Sequence, residues 1–296
     1  MSIVEGEDIQ LPSSNQRIFT EITVVGRDRK GVVAAVTNFL FKNGGNVEAV
    51  SQNVVKDLFG MHLEASFPAQ DFSRRDNDLG LERLSKELGM DIKVHYEEPD
   101  RLKNMAVFVS REEHCLSAIL QKRKMGHMRV NIPVIIGEDN SLERISKKFG
   151  VPFYAANHGN EAKREAIILD LVEKHNVDFI VLARYMKILS PNFVWRYPNR
   201  IINIHPSLLP AFTGSYPYLQ AYERGAKVMG CTAHFVTMEL DQGPIISQDA
   251  FKVRKNESLE SIKKRGRQLE SNTLVEAIKL FLGGKLEVYW GKVHIR

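Results

Sequence analysis

Asn203-Ile204-His205-Pro206-Ser207-Leu208-Leu209-Pro210, with Asp241-Gln242-Gly243-Pro244-Ile245-Ile246 downstream, is the stretch on which the reading of this chain turns. Arg200-Ile201-Ile202 leads straight into it and reads as the end of a buried strand. In a mostly parallel sheet, ligands sit beyond the carboxyl ends of such strands. Pro206 restricts the conformation of His205, and neither Pro206 nor Pro210 has an N–H to give to a sheet, so a rigid exit loop is predicted. Asn203, His205 and Asp241 form the minimum set for handling a carbonyl: an oxyanion donor, a proton shuttle and a group that orients the shuttle. Each has a plainer reading on its own. A lone strand-end histidine usually bonds its own backbone, and an acid before Gly243-Pro244 is ordinary turn chemistry.

Upstream of this stretch, short apolar runs at 105–110, 132–137, 151–155 and 179–183 alternate with amphipathic segments such as 116–124 and 162–175. That alternation predicts a doubly wound α/β sheet. After His205 come two β-type runs, 227–237 and 243–253, and a long helix over about 258–282. Arg254 and Lys255 read as a solvated strand end.

The first third has a different rhythm. Residues 18–25 read as a strand, and Asp28 sits where it could cap a helix with the stripe Val32, Ala35, Val36, Phe39, Leu40. Gly44-Gly45 stops that helix. Residues 46–55 follow, and then the alternation Phe59, Met61, Leu63, Ala65, Phe67 of a half-buried strand. Leu81, Leu84 and Leu88 mark a second helix, and Ile92, Val94, Tyr96 a closing strand. The order βαββαβ packs two helices on one face of an antiparallel sheet. Glu97-Glu98-Pro99-Asp100-Arg101 is charged and broken by proline, as a linker is. The expected organisation is an arm over 1–17, a first domain over 18–97, a linker over 98–104 and a second domain over 105–296.

Composition sets outer limits. A chain of 296 residues accommodates two domains of ordinary size, each able to bury a core. Against 36 acidic residues stand 41 basic ones, a formal charge of +5, too modest to point to nucleic acid and compatible with a small anionic ligand. Cys115 and Cys231, the two cysteines, lie far apart and form no metal-type pair, so neither a metal nor a cofactor is expected and a reducing cytoplasm is. The acidic start of the chain lacks signal-peptide features, and no apolar run reaches membrane-spanning length.

The segment NIHPSLLPAFTGSYPYLQAYERGAKVMGCTAHFVTMELDQGPIISQD, residues 203–249, resembles the folate-dependent formyltransferase fold shared by glycinamide ribonucleotide transformylase, methionyl-tRNA formyltransferase and formyltetrahydrofolate deformylase. The resemblance implies that Asn203 and His205 contact the formyl oxygen and that Asp241 polarises the histidine or positions a water. It further implies a folate pocket at Arg184, Tyr185, Met186, Lys187, Ile188, Leu189, Leu240 and Gly243, largely through backbone groups of Lys187 to Leu189.

Gly26-Arg27-Asp28-Arg29-Lys30-Gly31 and Gly44-Gly45-Asn46 resemble an ACT domain. That implies a homo-oligomer with an amino-acid effector near Asp28, Gly31 and Asn46. Turn and capping chemistry explains the same three residues equally well. In the nucleotide transformylase, a glycine- and serine-rich turn cradles the acceptor's phosphate. Here the loop is Ser110-Arg111-Glu112-Glu113-His114-Cys115-Leu116, without glycine and with two carboxylates. Val109-Ser110, His114-Cys115-Leu116 and the order of the two domains resemble the formyltetrahydrofolate deformylase family, as do Tyr216-Pro217-Tyr218 and Gln220. Pro206 and Leu208 depart from that family, which usually carries a second histidine and a phenylalanine there, and its usual Asn-His pair near Gly137-Glu138 is missing.

Hydrolysis of 10-formyltetrahydrofolate to formate and tetrahydrofolate, supplying formate for purine synthesis, is the implied activity. Transfer of the formyl group to an amine, or a non-catalytic amino-acid and folate sensor, is the alternative.

Overall fold

A computed structural model describes residues 17–98 and 101–296. The expected arm up to Gln16, and Pro99 and Asp100 of the expected linker, lie outside the described residues. The chain divides into two units, Met1–Pro99 and Asp100–Arg296, and each is taken by itself.

In the first unit β1 (Arg17–Arg27), α1 (Val32–Lys42), β2 (Asn46–Val55), β3 (Leu58–Pro68), α2 (Arg74–Leu88) and β4 (Asp91–Tyr96) build an antiparallel sheet in the order β2-β3-β1-β4. Val32, Val36 and Leu40 of α1 and Leu81 of α2 bury against Ile22, Val24, Met61, Leu63 and Phe67, so the spaced apolar stripes cover one face of the sheet. Asp28 is not the cap of α1. The helix starts four residues later, behind Gly31 at φ 88, and the Asp28 amide donates to the Asp57 carbonyl at 2.7 Å. Strand β3 is more than half-buried: it lies between two neighbours, and His62 and Ser66 on its other face are also covered. Glu21 faces His62 at 3.5 Å and the Arg17 guanidinium donates to the Ser66 hydroxyl at 2.9 Å. The edge strand β2 is exposed from Asn46 to Val54.

The second unit alternates strands and helices: β5 (Asn104–Val109), α3 (His114–Lys124), β6 (Asn131–Gly137), α4 (Glu143–Lys148), β7 (Phe153–Ala155), α5 (Glu161–Lys174), β8 (Phe179–Leu182), α6 (Pro191–Val194), β9 (Ile201–His205) and α7 (Pro217–Glu223). Then come β10 (Val228–Phe235), β11 (Ile245–Lys252), the long α8 (Leu259–Leu282), capped by the Ser258 side chain, and the hairpin β12 (Leu286–Tyr289) and β13 (Lys292–Ile295). The seven-stranded sheet has the order β11-β10-β9-β8-β5-β6-β7, parallel from β9 through β7 and antiparallel at β10 and β11.

Apolar side chains occupy both faces of the parallel strands, as expected of a sheet covered on both sides. Met105, Val107 and Val109 of β5 pack with α3 and α8; Ala106 and Phe108 pack with α5 and α6. Burying each such aliphatic or aromatic side chain contributes roughly 1.5–3 kcal/mol. Because β6 and β7 lie to one side of β5 while β8 and β9 lie to the other, the sheet changes direction between β5 and β8. A crevice at the carboxyl ends of those two strands is the general ligand position of this architecture. Among the described residues no helix is long and apolar enough to cross a membrane.

Candidate active site

Asn203 and His205 are two residues apart on β9, so both project to one face, while Ile202 and Ile204 project into the core on the other. The antiparallel partner β10 sets Thr232 opposite His205 and His234 opposite Asn203. Asp241 arrives from the loop between β10 and β11. That loop is pinned by Gly243, where any Cβ would lie 1.7 Å from the Phe235 carbonyl oxygen, and by the Phe235 amide donating to the Pro244 carbonyl at 2.9 Å. Asp241 itself has φ 57, a left-handed conformation that short polar residues tolerate.

Asn203, His205, His234 and Asp241 form one cluster. Asp241 Oδ2 lies 3.4 Å from His205 Nδ1 and accepts the Gly214 amide at 2.9 Å; Asp241 Oδ1 lies 3.9 Å from His234 Nε2. On its other side His205 Nε2 meets the Phe212 carbonyl at 3.0 Å, so the imidazole has an acceptor at both nitrogens. His234 Nδ1 donates to the Phe235 carbonyl at 2.8 Å, which leaves Nε2 to accept from the Asn203 amide at 3.2 Å. Burial pushes the His234 imidazole below its usual value, against the opposing pulls of the Phe235 carbonyl and Asp241, so it serves as a neutral acceptor. His205 is 5% exposed, so it lies beneath the loop that follows β9 rather than open at a strand mouth.

The folate segment predicted at Arg184 to Leu189 follows β8 directly, on the switch-point side of the sheet. Tyr185 and Leu189 turn into the core, Tyr185 edge-on to Phe108 at 5.5 Å, so only their backbone faces outward. Met186 and Ile188 are exposed, as is Leu240. The segment is tied to the loops after β5 and β6: the Met186 amide donates to Ser110 Oγ at 2.9 Å, Ser110 Oγ donates to Glu138 at 2.8 Å, and Lys187 pairs with Glu138 at 2.8 Å. The Lys187 contact first, with Ser110 assisting, holds the Glu138 carboxyl below its usual range against burial.

A formyl transferase family profile matches residues 103–278 and an ACT domain profile residues 21–95. The formyltetrahydrofolate deformylase of Bacillus subtilis (strain 168) is 38% identical over 271 residues, 90% of each chain. The chain belongs to the formyltetrahydrofolate deformylase family. The deformylase of Synechocystis sp. is 35% identical, covering 93% of this chain and 97% of its own. In three dimensions the crystal structure of the deformylase from Pseudomonas syringae pv. tomato aligns over 94% of both chains at a TM-score of 0.65 and 31% identity. Glycinamide ribonucleotide transformylase 1 from Symbiobacterium toebii covers 68% of this chain, at a TM-score of 0.62 and 34% identity.

Within the frame of this family, two features escape inspection of the sequence. His234 lay inside the segment that carries the resemblance, but only the β9–β10 register brings it against Asn203. Glu138 stands near the missing Asn-His pair and acts instead as the anchor for Lys187 and Ser110. The predicted effector residues of the ACT unit are not adjacent in one chain. Asn46 pairs across to Ser66, which pairs to Phe19, whereas Asp28 and Gly31 follow Arg27 at the far end of β1. Eight residues of strand separate those ends, about 27 Å. Asn46 is engaged locally, donating to Glu48 at 2.9 Å.

Three possible metal-ligating side chains that sequence spacing did not group, His114, Cys115 and Glu270, have ligand atoms within 4.8 Å of one another. Burial, and then the charge of Glu270, pushes the Cys115 thiol well above its usual value, and Arg184 already lies 3.4 Å from the same carboxylate.

Proposed function

We propose that this chain hydrolyses 10-formyltetrahydrofolate to formate and tetrahydrofolate, with Asn203, His205 and Asp241 as the catalytic residues. The observation that carries the mechanism is the cluster in which Asp241 faces His205 Nδ1 while His234 holds one N–H of the Asn203 amide. An asparagine amide has a second N–H, and it donates to the oxygen of the formyl group as that oxygen gains charge. Asp241 and His205 place a water against the formyl carbon and take its proton. Protonated His205 then supports the oxyanion and returns a proton to N10 as the carbon–nitrogen bond breaks. The formyl oxygen takes the place at Nε2 that the Phe212 carbonyl holds without substrate.

Water as the acceptor is supported by the loop after β5. Glu113 stands at the N-cap of α3 without a side-chain cap bond, and Glu112 lies beside it, 3.5 Å from His114 and 3.3 Å from Arg267. A helix start that would attract a phosphate therefore carries the chain's own carboxylates. The reaction needs no metal or cofactor. The deciding test is formate release from 10-formyltetrahydrofolate with no amine added; turnover only in the presence of an amine would overturn hydrolysis.

The ACT unit supports the rest of the reading. Its β2 edge exposes Val47, Val50 and Val54 along a strand with one unpaired side, which suits pairing with a second copy. An amino-acid effector would then draw on Asp28 and Gly31 of one copy and Asn46 of another, since one copy holds them apart. Two buried free thiols suit the reducing cytoplasm, where the formate released enters purine synthesis.

A further inference from the structure

Glu270, on α8, is 1% exposed, and both of its oxygens are engaged. Oε2 lies 2.9 Å from His114 Nε2 and 3.4 Å from Arg184 Nε; Oε1 accepts the Tyr218 hydroxyl at 2.9 Å. Burial drives its carboxyl upward, but His114, then the charge of Arg184, then Tyr218 outweigh burial and leave it below the usual carboxylate range. The helix is shaped to admit this arrangement: a Cβ on Gly266, one turn earlier, would lie 2.2 Å from the Tyr218 hydroxyl.

His114 opens α3 after β5, and Arg184 is the second residue after β8. Those strands are hydrogen-bonded neighbours at the switch point, so one carboxylate grips a residue from each loop beside the crevice. Arg184 has φ 63, outside the usual range for its residue type, and its Nε is buried with no hydrogen-bond partner. The negative charge of Glu270 is what retains that nitrogen. Remove the charge and a largely covered cation is left uncompensated, which favours swinging the guanidinium out to water. The start of the segment whose later residues bond Ser110 and Glu138 would move with it.

We propose that Glu270 is a positioning residue for the folate loop, acting through Arg184 to hold residues 184–189 in the conformation that receives the pterin. This inference rests on the deformylase reading above. The test compares formate release and equilibrium binding of tetrahydrofolate in the full chain for wild type, E270Q, E270D, Y218F, R184Q and R184Q/E270Q.

E270Q is expected to raise both KM for 10-formyltetrahydrofolate and Kd for tetrahydrofolate about tenfold, with kcat within about threefold of wild type. E270D, which keeps the charge, recovers most of the affinity, and Y218F, which leaves the Arg184 pair in place, shifts KM less than threefold. R184Q/E270Q binds no more weakly than R184Q alone.

Unchanged KM and Kd in E270Q, a kcat loss without a KM change, or additive effects in the double variant would overturn the proposal. Should E270Q fail to fold, normal affinity in R184Q has the same force. A wild type that binds tetrahydrofolate but releases no formate would sink the deformylase reading instead, and the binding series would still decide the role of Glu270.

Discussion

Replacing Asp241 with asparagine isolates the charge of the catalytic cluster from its shape. Asparagine has the same outline and accepts φ 57 as readily as aspartate, and its amide oxygen can still take the Gly214 N–H now bound at 2.9 Å. The loop is therefore expected to survive, with thermal unfolding within a few degrees of wild type. What disappears is a negative charge 3.4 Å from His205 Nδ1. At an effective dielectric of about 20, that charge and a protonated imidazole attract by roughly 5 kcal/mol. Solvent and the asparagine dipole recover part of this, leaving a loss of about 3–4 kcal/mol when His205 becomes positive in the transition state. At about 1.4 kcal/mol per decade, kcat should fall about 10²- to 10³-fold. Because the contact is made by the reacting groups and not the pterin, binding of tetrahydrofolate should stay within about tenfold. Single-turnover formate release, read beside a binding titration, measures both quantities. A folded Asp241→Asn protein that turns over within tenfold of wild type would refute the assignment.

His234→Leu removes the acceptor that orients Asn203 and should lower kcat about three- to tenfold, the size of one neutral hydrogen bond. The same variant tests a pH effect. The folded-state pKa of His234 lies below its unfolded value of about 6.5, so the unfolded chain takes up the proton first and stability is lost as pH falls through that value; denaturant midpoints between about pH 7 and 5 should fall less in His234→Leu than in wild type. Dialysis against EDTA or phenanthroline should leave formate release unchanged, and activity restored only by added metal would contradict the cofactor-free mechanism. Light scattering should show a homo-oligomer that Val50→Lys on the exposed β2 edge disrupts. In a panel of free amino acids, at least one should shift both turnover and thermal stability, and Asp28→Ala should lose both responses.

Local signals made much of this molecule legible from residues alone. The apolar stripes of α1 and α2 and the runs that became β5, β6 and β8 appear in the expected order, because spacing and burial on two faces are properties of short segments. The elements that escaped are α4, α6, α7 and the β12–β13 hairpin. The helices span seven residues or fewer, too little for a periodic stripe, and the hairpin turns at Trp290 and Gly291, both at positive φ, without a usual turn pair. Asp28 reads as a cap from sequence alone because a short acid before an apolar stripe looks the same whether the helix begins at the next residue or four residues on.

Sequence by itself determined which chemistry is present: an amide and an imidazole two residues apart at a strand end, a carboxylate shortly before a Gly-Pro turn, and a first loop bearing acids where a phosphate cradle would need glycine. Tertiary structure alone decided how those groups are supported. The register of β9 against β10 set His234 beside Asn203, and the packing of α8 against α3 carried Glu270 across 156 residues of sequence to His114. Both follow from long-range packing, in which partners are chosen by the strand and helix faces left uncovered. No local pattern of residues encodes that choice.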